Sequence, residues 1–122
     1  MEDAVRSVRE VLRAHPDVAA VYCADETSPE GVCRAVKESG RKDLYLVVHE
    51  LRDALIPYFE DGTLDVAMDQ DLFFQGYNTE EHLFNDLVHS WRAVPLPSHT
   101  TLRYAAKEDY DNSAQLSRYK TA

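Results

Sequence analysis

Basic residues, glycines and cysteines are scarce in this sequence, and no long apolar run occurs. The 13 Lys and Arg residues stand against 22 Asp and Glu residues, which gives a net charge of −9. Because nucleic-acid contacts usually need a basic surface, this balance argues against direct phosphate-backbone binding by the chain itself. A bilayer-spanning helix needs ~20 apolar residues, so no membrane partner is expected. The charged, amphipathic start does not resemble a secretion signal, and we expect a cytoplasmic protein.

The few glycines and cysteines also argue against several kinds of catalytic site. The glycines are scattered and form neither a phosphate-binding loop nor a nucleophile elbow. Cys23 and Cys33 lack the spacing of a metal site, so we expect two buried thiols in a reducing compartment. No cofactor is implied. The alternative to two buried thiols is a catalytic pair, with Cys23 as nucleophile and His49 as base, since an imidazole can activate a thiol.

The order of apolar patterns predicts an α/β fold. Residues at helical spacing alternate with short continuous apolar runs, which are typical of strands buried on both faces. We expect a parallel sheet of about four strands with helices on both faces, forming part of a lobe. The expected elements are a helix over residues 2–14, a strand over Val18–Cys23, a helix from the Thr27 region to about Ser39 closed by Gly40, a strand over Leu44–Val48, a short helix broken by Pro57, a strand over Leu64–Met68, a long helix from about Leu72 that ends before Pro95 and Pro97, and a last strand near Thr101.

Polar side chains follow each of the first three expected strands. In parallel sheets, ligands bind outside the carboxyl ends of the strands, so these loops are expected to share one edge. The residues are Asp25, Glu26 and Thr27 after the first strand, His49 and Glu50 after the second, and Asp69, Gln70 and Asp71 after the third.

One interpretation of these loops is structural. Loop residues are generally polar, and the side chain of Thr27 suits a cap for the following helix. Asp71 can cap the long helix, because acids favour helix N-termini. His49 then is a partly buried histidine with satisfied hydrogen bonds.

Two further interpretations are functional. A cluster of Asp25, Glu50 and Asp69 could bind a divalent metal in a phosphoryl-transfer or hydrolase-like domain. A sugar or polyol site is the other possibility, because carboxylates and amides bind vicinal hydroxyls. Its expected contacts are Asp25, Glu50 and Gln70, with Glu26 and Asp69 beside them. Glu50 is expected to be an exposed carboxylate at the rim of the site.

The segments "AAVYCAD", "RAVKESG", "LVVHEL" and "YFEDGTLDVAMDQDL" occur in an order that resembles the effector-binding region of lac-repressor-family transcription regulators. Type I periplasmic sugar-binding proteins have the same fold. The resemblance covers roughly residues 5–106. It places Asp25 and Glu50 on the two acidic positions of the family and Gln70 on the glutamine before the long helix. Ala24 and Leu72 depart from the usual asparagine and proline, and the "DETSP" loop also differs.

The resemblance implies a sugar or small polyol effector and no enzymatic activity. Residues 1–107 would form the C-terminal portion of the effector-binding lobe, and residues 108–122 a loose polar tail. DNA binding would belong to an N-terminal domain outside this chain. The segment around Gln70 would be both hinge and ligand contact.

The long helix is rich in large apolar residues, and in the resembling family it packs largely against the other lobe. We therefore expect the chain to form a dimer, with Phe84 and Trp91 at or near the contact.

Overall fold

The computed structural model describes residues 2–89 and 103–106. The elements are α1 (Glu2–Ala14), β1 (Ala20–Cys23), α2 (Pro29–Ser39), β2 (Tyr45–His49), a 3-10 turn (Asp53–Leu55) that leads into α3 (Ile56–Glu60), β3 (Val66–Asp69), α4 (Leu72–His89) and β4 (Arg103–Ala106). The chain divides into two compact units. The first contains residues 2–68 and 104–106, and the second contains residues 69–89 and 103.

The four strands form one sheet in the order β1-β2-β3-β4. Strand β2 pairs in parallel with both β1 and β3, and the register aligns Cys23 with Val48 and His49 with Met68. This arrangement confirms the predicted α/β fold with a parallel sheet. Within the described residues, no helix combines the length and the apolar composition needed to cross a bilayer.

The core of the first unit lies on one face of the sheet. Helix α1 packs along α2 and buries Val5 and Leu12, which lie seven residues apart on the same face of the helix. The other core residues come from α2, the strands and the short helical segment. The largest fully buried side chains include Phe59, Leu46, Leu55, Leu64, Val36, Val48 and Cys33.

The opposite face of the sheet corrects the prediction that the strands are buried on both sides. Alternate residues of a strand point to opposite faces. In β2, Leu46 and Val48 are fully buried, whereas Tyr45 is 52% exposed, and Tyr22 of β1 is 58% exposed. A continuous apolar run could not distinguish the buried side chains of a strand from its exposed ones.

The start of α2 also differs from the prediction. Thr27 was expected to cap this helix, but the N-cap position belongs to Ser28, and Pro29 occupies the first turn. The hydroxyl of Thr27 donates instead to Asp25 Oδ1 at 2.7 Å. The predicted end is confirmed, because Gly40 adopts a left-handed φ of 72° that glycine tolerates without steric cost.

The segment around Pro57 is broken, as predicted. Residues Asp53–Leu55 form a 3-10 turn, and the five-residue helix α3 follows with Pro57 in its first turn. Proline is tolerated there because the first helical N–H groups have no partner within the helix. The short helix ends at Glu60 with Asp61 as its C-cap, and Gly62 adopts a positive φ of 75° just beyond it.

In the second unit, α4 begins after Asp71, whose Oδ1 accepts a hydrogen bond from the Phe74 N–H at 3.3 Å. The cap predicted for Asp71 is therefore present. No residue of this 18-residue helix is buried. Several expectations lie outside the described residues: the helix stop at Pro95 and Pro97, the position of Trp91, the beginning of the last strand at Thr101 and the tail over residues 108–122.

Candidate functional site

The candidate site lies at the carboxyl edge of the sheet. Because β1, β2 and β3 run parallel in adjacent positions, their carboxyl ends meet at the same edge. Asp25 and Glu26 lie in the loop after β1, and Glu50 directly follows β2. This edge therefore brings together the first group of predicted site residues, all within the first unit.

Asp25 is exposed, and its local hydrogen bonds fix its position. Its Oδ1 accepts the backbone N–H groups of Thr27 and Ser28 at 2.7 and 2.9 Å, in addition to the Thr27 hydroxyl. These bonds, led by the one from the Thr27 hydroxyl, lower the pKa of Asp25 to about 2. Asp25 is therefore an ionised acceptor at neutral pH, held in one orientation by its own loop.

The second carboxylate oxygen of Asp25 is only weakly engaged. Its Oδ2 lies 3.9 Å from the sulfur of Cys23, which also approaches the Asp25 backbone carbonyl at 3.6 Å. Thiols are weak donors, so Oδ2 retains most of its capacity to accept hydrogen bonds. A ligand hydroxyl could use this oxygen while Oδ1 keeps the loop in place.

The cysteines behave as buried thiols rather than nucleophiles. Both are free and buried, as predicted. Burial raises the pKa of the Cys23 thiol, and it raises that of Cys33 to about 12. Because the thiolate is the reactive form, the raised pKa of Cys23 opposes the alternative in which Cys23 and His49 act as nucleophile and base.

Glu50 corrects the prediction of an exposed rim carboxylate. It is only 5% exposed, and its backbone adopts a left-handed φ of 62°. Its N–H donates to the Met68 carbonyl at 2.7 Å, which draws the end of β2 against β3. A non-glycine residue at positive φ is uncommon, and such strain concentrates at functional sites.

Tyr22 and His49 form a contact that the sequence interpretation missed. The Tyr22 hydroxyl hydrogen bonds His49 Nε2, and the two rings meet edge to face with centroids 5.4 Å apart. The interpretation of His49 as a partly buried residue with satisfied hydrogen bonds agrees with this contact. The contact depends on the strand register, in which Tyr22 aligns with Val47, two residues before His49 on the same face, and the sequence alone does not give that register.

The remaining predicted residues belong to the second unit. Asp69 is the last residue of β3, and its Oδ1 accepts the Asp71 N–H at 2.8 Å. The backbone carbonyl of Gln70 accepts the side-chain amide of Gln75 at 2.8 Å. Asp71 has a left-handed φ of 55°. These contacts are local to the segment between β3 and α4.

The described residues do not meet the requirements of a metal site. Among them, no group of three His, Cys, Asp or Glu side chains is arranged to hold a metal ion. The carboxylates at the edge are instead engaged by N–H and O–H donors, as Asp25 and Asp69 show.

Known proteins share both the sequence pattern and the fold. The xylose/arabinose-binding protein XylF of Sulfolobus acidocaldarius is 24% identical over 126 residues, which span 98% of this chain and 31% of XylF. An ABC transporter solute-binding protein from Agrobacterium vitis, bound with α-D-tagatopyranose, has a TM-score of 0.83 at 19% identity, over 96% of this chain and 39% of that protein. A putative LacI transcriptional regulator from Bacteroides fragilis has a TM-score of 0.74 at 19% identity, over 88% of this chain and 37% of that protein.

The chain thus spans between 31% and 39% of the length of these relatives. At such identities, the solved structures establish a partial type I periplasmic-binding-protein-like fold. The family model of the periplasmic binding protein domain matches residues 1–84. Since this match covers more than half of the sequence, the chain belongs to the periplasmic binding protein domain family.

Proposed function

We propose that the chain forms part of a binding protein for a sugar or small polyol and that it acts by binding rather than catalysis. The observation that carries this proposal is Asp25, an ionised carboxylate with one oxygen held by its loop and the other weakly engaged. A preorganised acceptor of this kind suits a neutral, hydroxyl-rich ligand, because it loses little conformational freedom on binding.

Glu50 and Glu26 are proposed as further contacts at the same edge. Glu50 is almost completely buried, so a ligand would meet it at the floor of the site, whereas Glu26 is exposed in the loop beside Asp25. Carboxylates at two depths can accept hydrogen bonds from hydroxyls on different carbons of one sugar. The left-handed backbone of Glu50 supports a functional role at this position.

Asp69 and Gln70, which belong to the second unit, are proposed as further sugar-binding residues of the chain. The Gln70 backbone is held by Gln75, and Asp69 is held by the turn at Asp71. The Gln70 side chain offers both an amide donor and a carbonyl acceptor, which suits a hydroxyl that donates one hydrogen bond and accepts another. The names of the relatives support the ligand class, since XylF is a xylose/arabinose-binding protein.

We further propose that the chain is the effector-binding part of a cytoplasmic transcriptional repressor, with DNA bound by a domain outside this chain. The "LVVHEL" segment and the fold shared with a putative LacI regulator support this role. A transport receptor is the second candidate, which XylF and the solute-binding neighbour favour. The coding sequence upstream of Met1 discriminates between them, because a helix-turn-helix region supports the repressor and a secretion signal supports the receptor.

A homodimer formed through α4 is the proposed assembly. The helix exposes Phe73, Tyr77, Leu83, Phe84 and Leu87, each at least 55% exposed. Tyr77, Leu83, Phe84, Leu87 and Val88 line a shallow groove of about 560 Å³, together with Glu80 and Glu81. Apolar surface of this extent usually marks an interaction site, and a second copy would cover the same residues in both chains.

The sugar proposal can be tested by saturation-transfer NMR of the chain with xylose, arabinose, galactose and tagatose. Because the chain spans less than two fifths of its relatives, we expect weak binding, with a Kd on the order of 1 mM. Asp25→Asn should weaken it about tenfold, which corresponds to one charge-assisted hydrogen bond.

Glu10→Gln is the matched control, because Glu10 is exposed on α1, away from the carboxyl edge. The sugar affinity of Glu10→Gln should equal that of the original chain. If Asp25→Asn binds every sugar as tightly as the Glu10→Gln control, the proposed site is wrong. If binding disappears on chelation of divalent ions, the metal-dependent alternative gains support.

A further inference from the structure

A second cleft lies at the edge of the sheet opposite the proposed sugar site. Helix α1 ends before β1 begins, and α2 ends before β2 begins, so the C-terminal ends of both helices lie at the amino edge of the strands. The cleft between these helix ends has a volume of about 310 Å³. It is lined by Arg9, Leu12, Arg13, Glu38, Ser39 and Arg41.

The cleft is basic, although the chain as a whole has a net charge of −9. Three guanidinium groups line it, against the single carboxylate of Glu38, which pairs with Arg9. Arg13 is exposed in the last turn of α1 and forms no ion pair among the described residues. Arg41 also pairs with a carboxylate, that of Asp43 beside the cleft, so the excess positive charge of the lining is carried by Arg13.

Arg41 is held rigidly in this cleft. Its Nη2 donates to the Val18 carbonyl at 2.8 Å and also pairs with Asp43, while its Nε donates to Asp43 Oδ1 at 3.0 Å. The remaining nitrogen, Nη1, is buried and has no acceptor among the residues that the structure describes. A guanidinium fixed in this way keeps its positive charge at one position beside the cleft, which suits the binding of an oxyanion.

Stabilisation of the helix ends does not account for this arrangement. Cations favour helix C-termini, and Arg13 and Lys37 already occupy the last turns of α1 and α2. Arg41 lies beyond the Gly40 cap and binds a loop carbonyl rather than a helix carbonyl. Its side chain is only 22% exposed, unlike a solvated surface arginine.

We propose that this cleft binds a small phosphate-like oxyanion through Arg13, Arg41 and Arg9. Arg41 would contribute the fixed positive charge of its guanidinium, and Arg13 would add an exposed guanidinium that donates directly to the ligand. One N–H group of the Arg9 guanidinium would turn from Glu38 towards the ligand. The site is separate from the carboxyl edge, so its occupant would be a second ligand and not the sugar.

The test is a titration of the chain with inorganic phosphate at pH 7, followed by amide chemical shifts and by the melting temperature. We expect saturable shifts at Ser39 and Arg41 with a Kd on the order of 1 mM. The melting temperature should rise with occupancy, because a ligand that binds only the folded state stabilises it. Sodium chloride at the same ionic strength should give neither effect.

Arg13→Gln and Arg9→Gln should each weaken phosphate binding on the order of tenfold, the effect of losing one charge-assisted contact. The matched control is Arg6→Gln, because Arg6 is exposed on the same helix and pairs with Asp3 outside the cleft. Equal affinity in Arg6→Gln and Arg13→Gln would overturn the proposal, as would equal stabilisation by chloride. Binding of an acidic peptide but not of phosphate would also overturn it and would identify a protein partner instead.

Discussion

Helices α2 and α4 contrast sharply in what their apolar residues do. Six of the 11 residues of α2 are buried, whereas none of the 18 residues of α4 is. Both sequences contain apolar residues, and α4 has the larger ones, including Phe73 and Phe84. Apolar composition therefore did not determine burial in this chain. The difference comes from the partners available to each helix, because α2 contacts α1 and β2 within its own unit.

Truncation of a core side chain is expected to cause the largest loss of stability, and it tests the difference in burial between the core under α2 and the surface of α4. Phe59 is 1% exposed in the core under α2, whereas Phe84 of α4 is 57% exposed. Phe59→Ala should lower the free energy of unfolding by roughly 3–5 kcal/mol through lost burial and a residual cavity. Phe84→Ala, the matched control, should change it by less than about 0.5 kcal/mol in the monomer.

Urea unfolding followed by circular dichroism measures both values at low chain concentration. Similar losses for the two variants would mean that α4 is buried in solution, and the contrast between the helices would then disappear.

A change at Glu50 is expected to have the next largest effect. Glu50→Ala removes a buried carboxylate that has partners in the fold and should cost roughly 1–3 kcal/mol. Glu50→Gly should cost about 1 kcal/mol less than Glu50→Ala, because glycine tolerates the left-handed φ of 62° without steric strain.

Glu26→Ala serves as the control for Glu50, since Glu26 is an exposed carboxylate of the same edge. Its unfolding free energy should change by less than about 0.5 kcal/mol. If Glu50→Gly proves less stable than Glu50→Ala in urea unfolding, the left-handed conformation is not present in solution.

The contrast between helices also shows what the sequence could predict. The helical spacing of α1 and the stop at Gly40 depend on local chemistry, and both were predicted correctly. Glu50 is buried where its N–H bonds to Met68, a residue 18 positions away. The exposure of Tyr22 depends on which elements cover the sheet. Neither property is encoded in the pattern of neighbouring residues.

The contacts of the loop after β1 show a finer limit. Asp25 and Thr27 both have side chains that cap helices, and their spacing alone does not say which one accepts and which donates. The structure has Asp25 as the acceptor of three hydrogen bonds in its own loop. The prediction that Asp25 binds a ligand was made from its position after a strand, and it stays a prediction.

Self-association should distinguish α4 from the other helices. If α4 forms the dimer contact, the chain at tens of micromolar should have a mass by light scattering well above 13.9 kDa. Leu87→Glu, which puts a charge on a side chain that is 72% exposed, should return the mass to about that of the monomer. Val11→Glu is the control, because Val11 is 51% exposed on α1 and should leave the dimer intact.

A mass of 13.9 kDa for the unmodified chain would contradict the dimer. Equal dissociation by Val11→Glu and Leu87→Glu would place the contact elsewhere or make it unspecific.

The smallest expected effect is a change in acid stability at Asp25. Its pKa is lowered from 3.8 to about 2 by hydrogen bonds from Thr27 and Ser28 that favour the charged form. A carboxyl with a depressed folded pKa stabilises the protein above its unfolded pKa and loses this contribution as the pH falls through the folded value. The melting temperature should therefore fall between pH 4 and pH 2, and Asp25→Asn should reduce the steepness of that fall.

Glu26→Gln, whose side chain forms no hydrogen bond among the described residues of the loop, should leave the steepness unchanged. The contrary outcome is a melting temperature of Asp25→Asn that falls with pH as steeply as that of the original chain. In that case the hydrogen bonds of the loop do not hold the charged form of Asp25, and the preorganised acceptor proposed for the sugar site is absent.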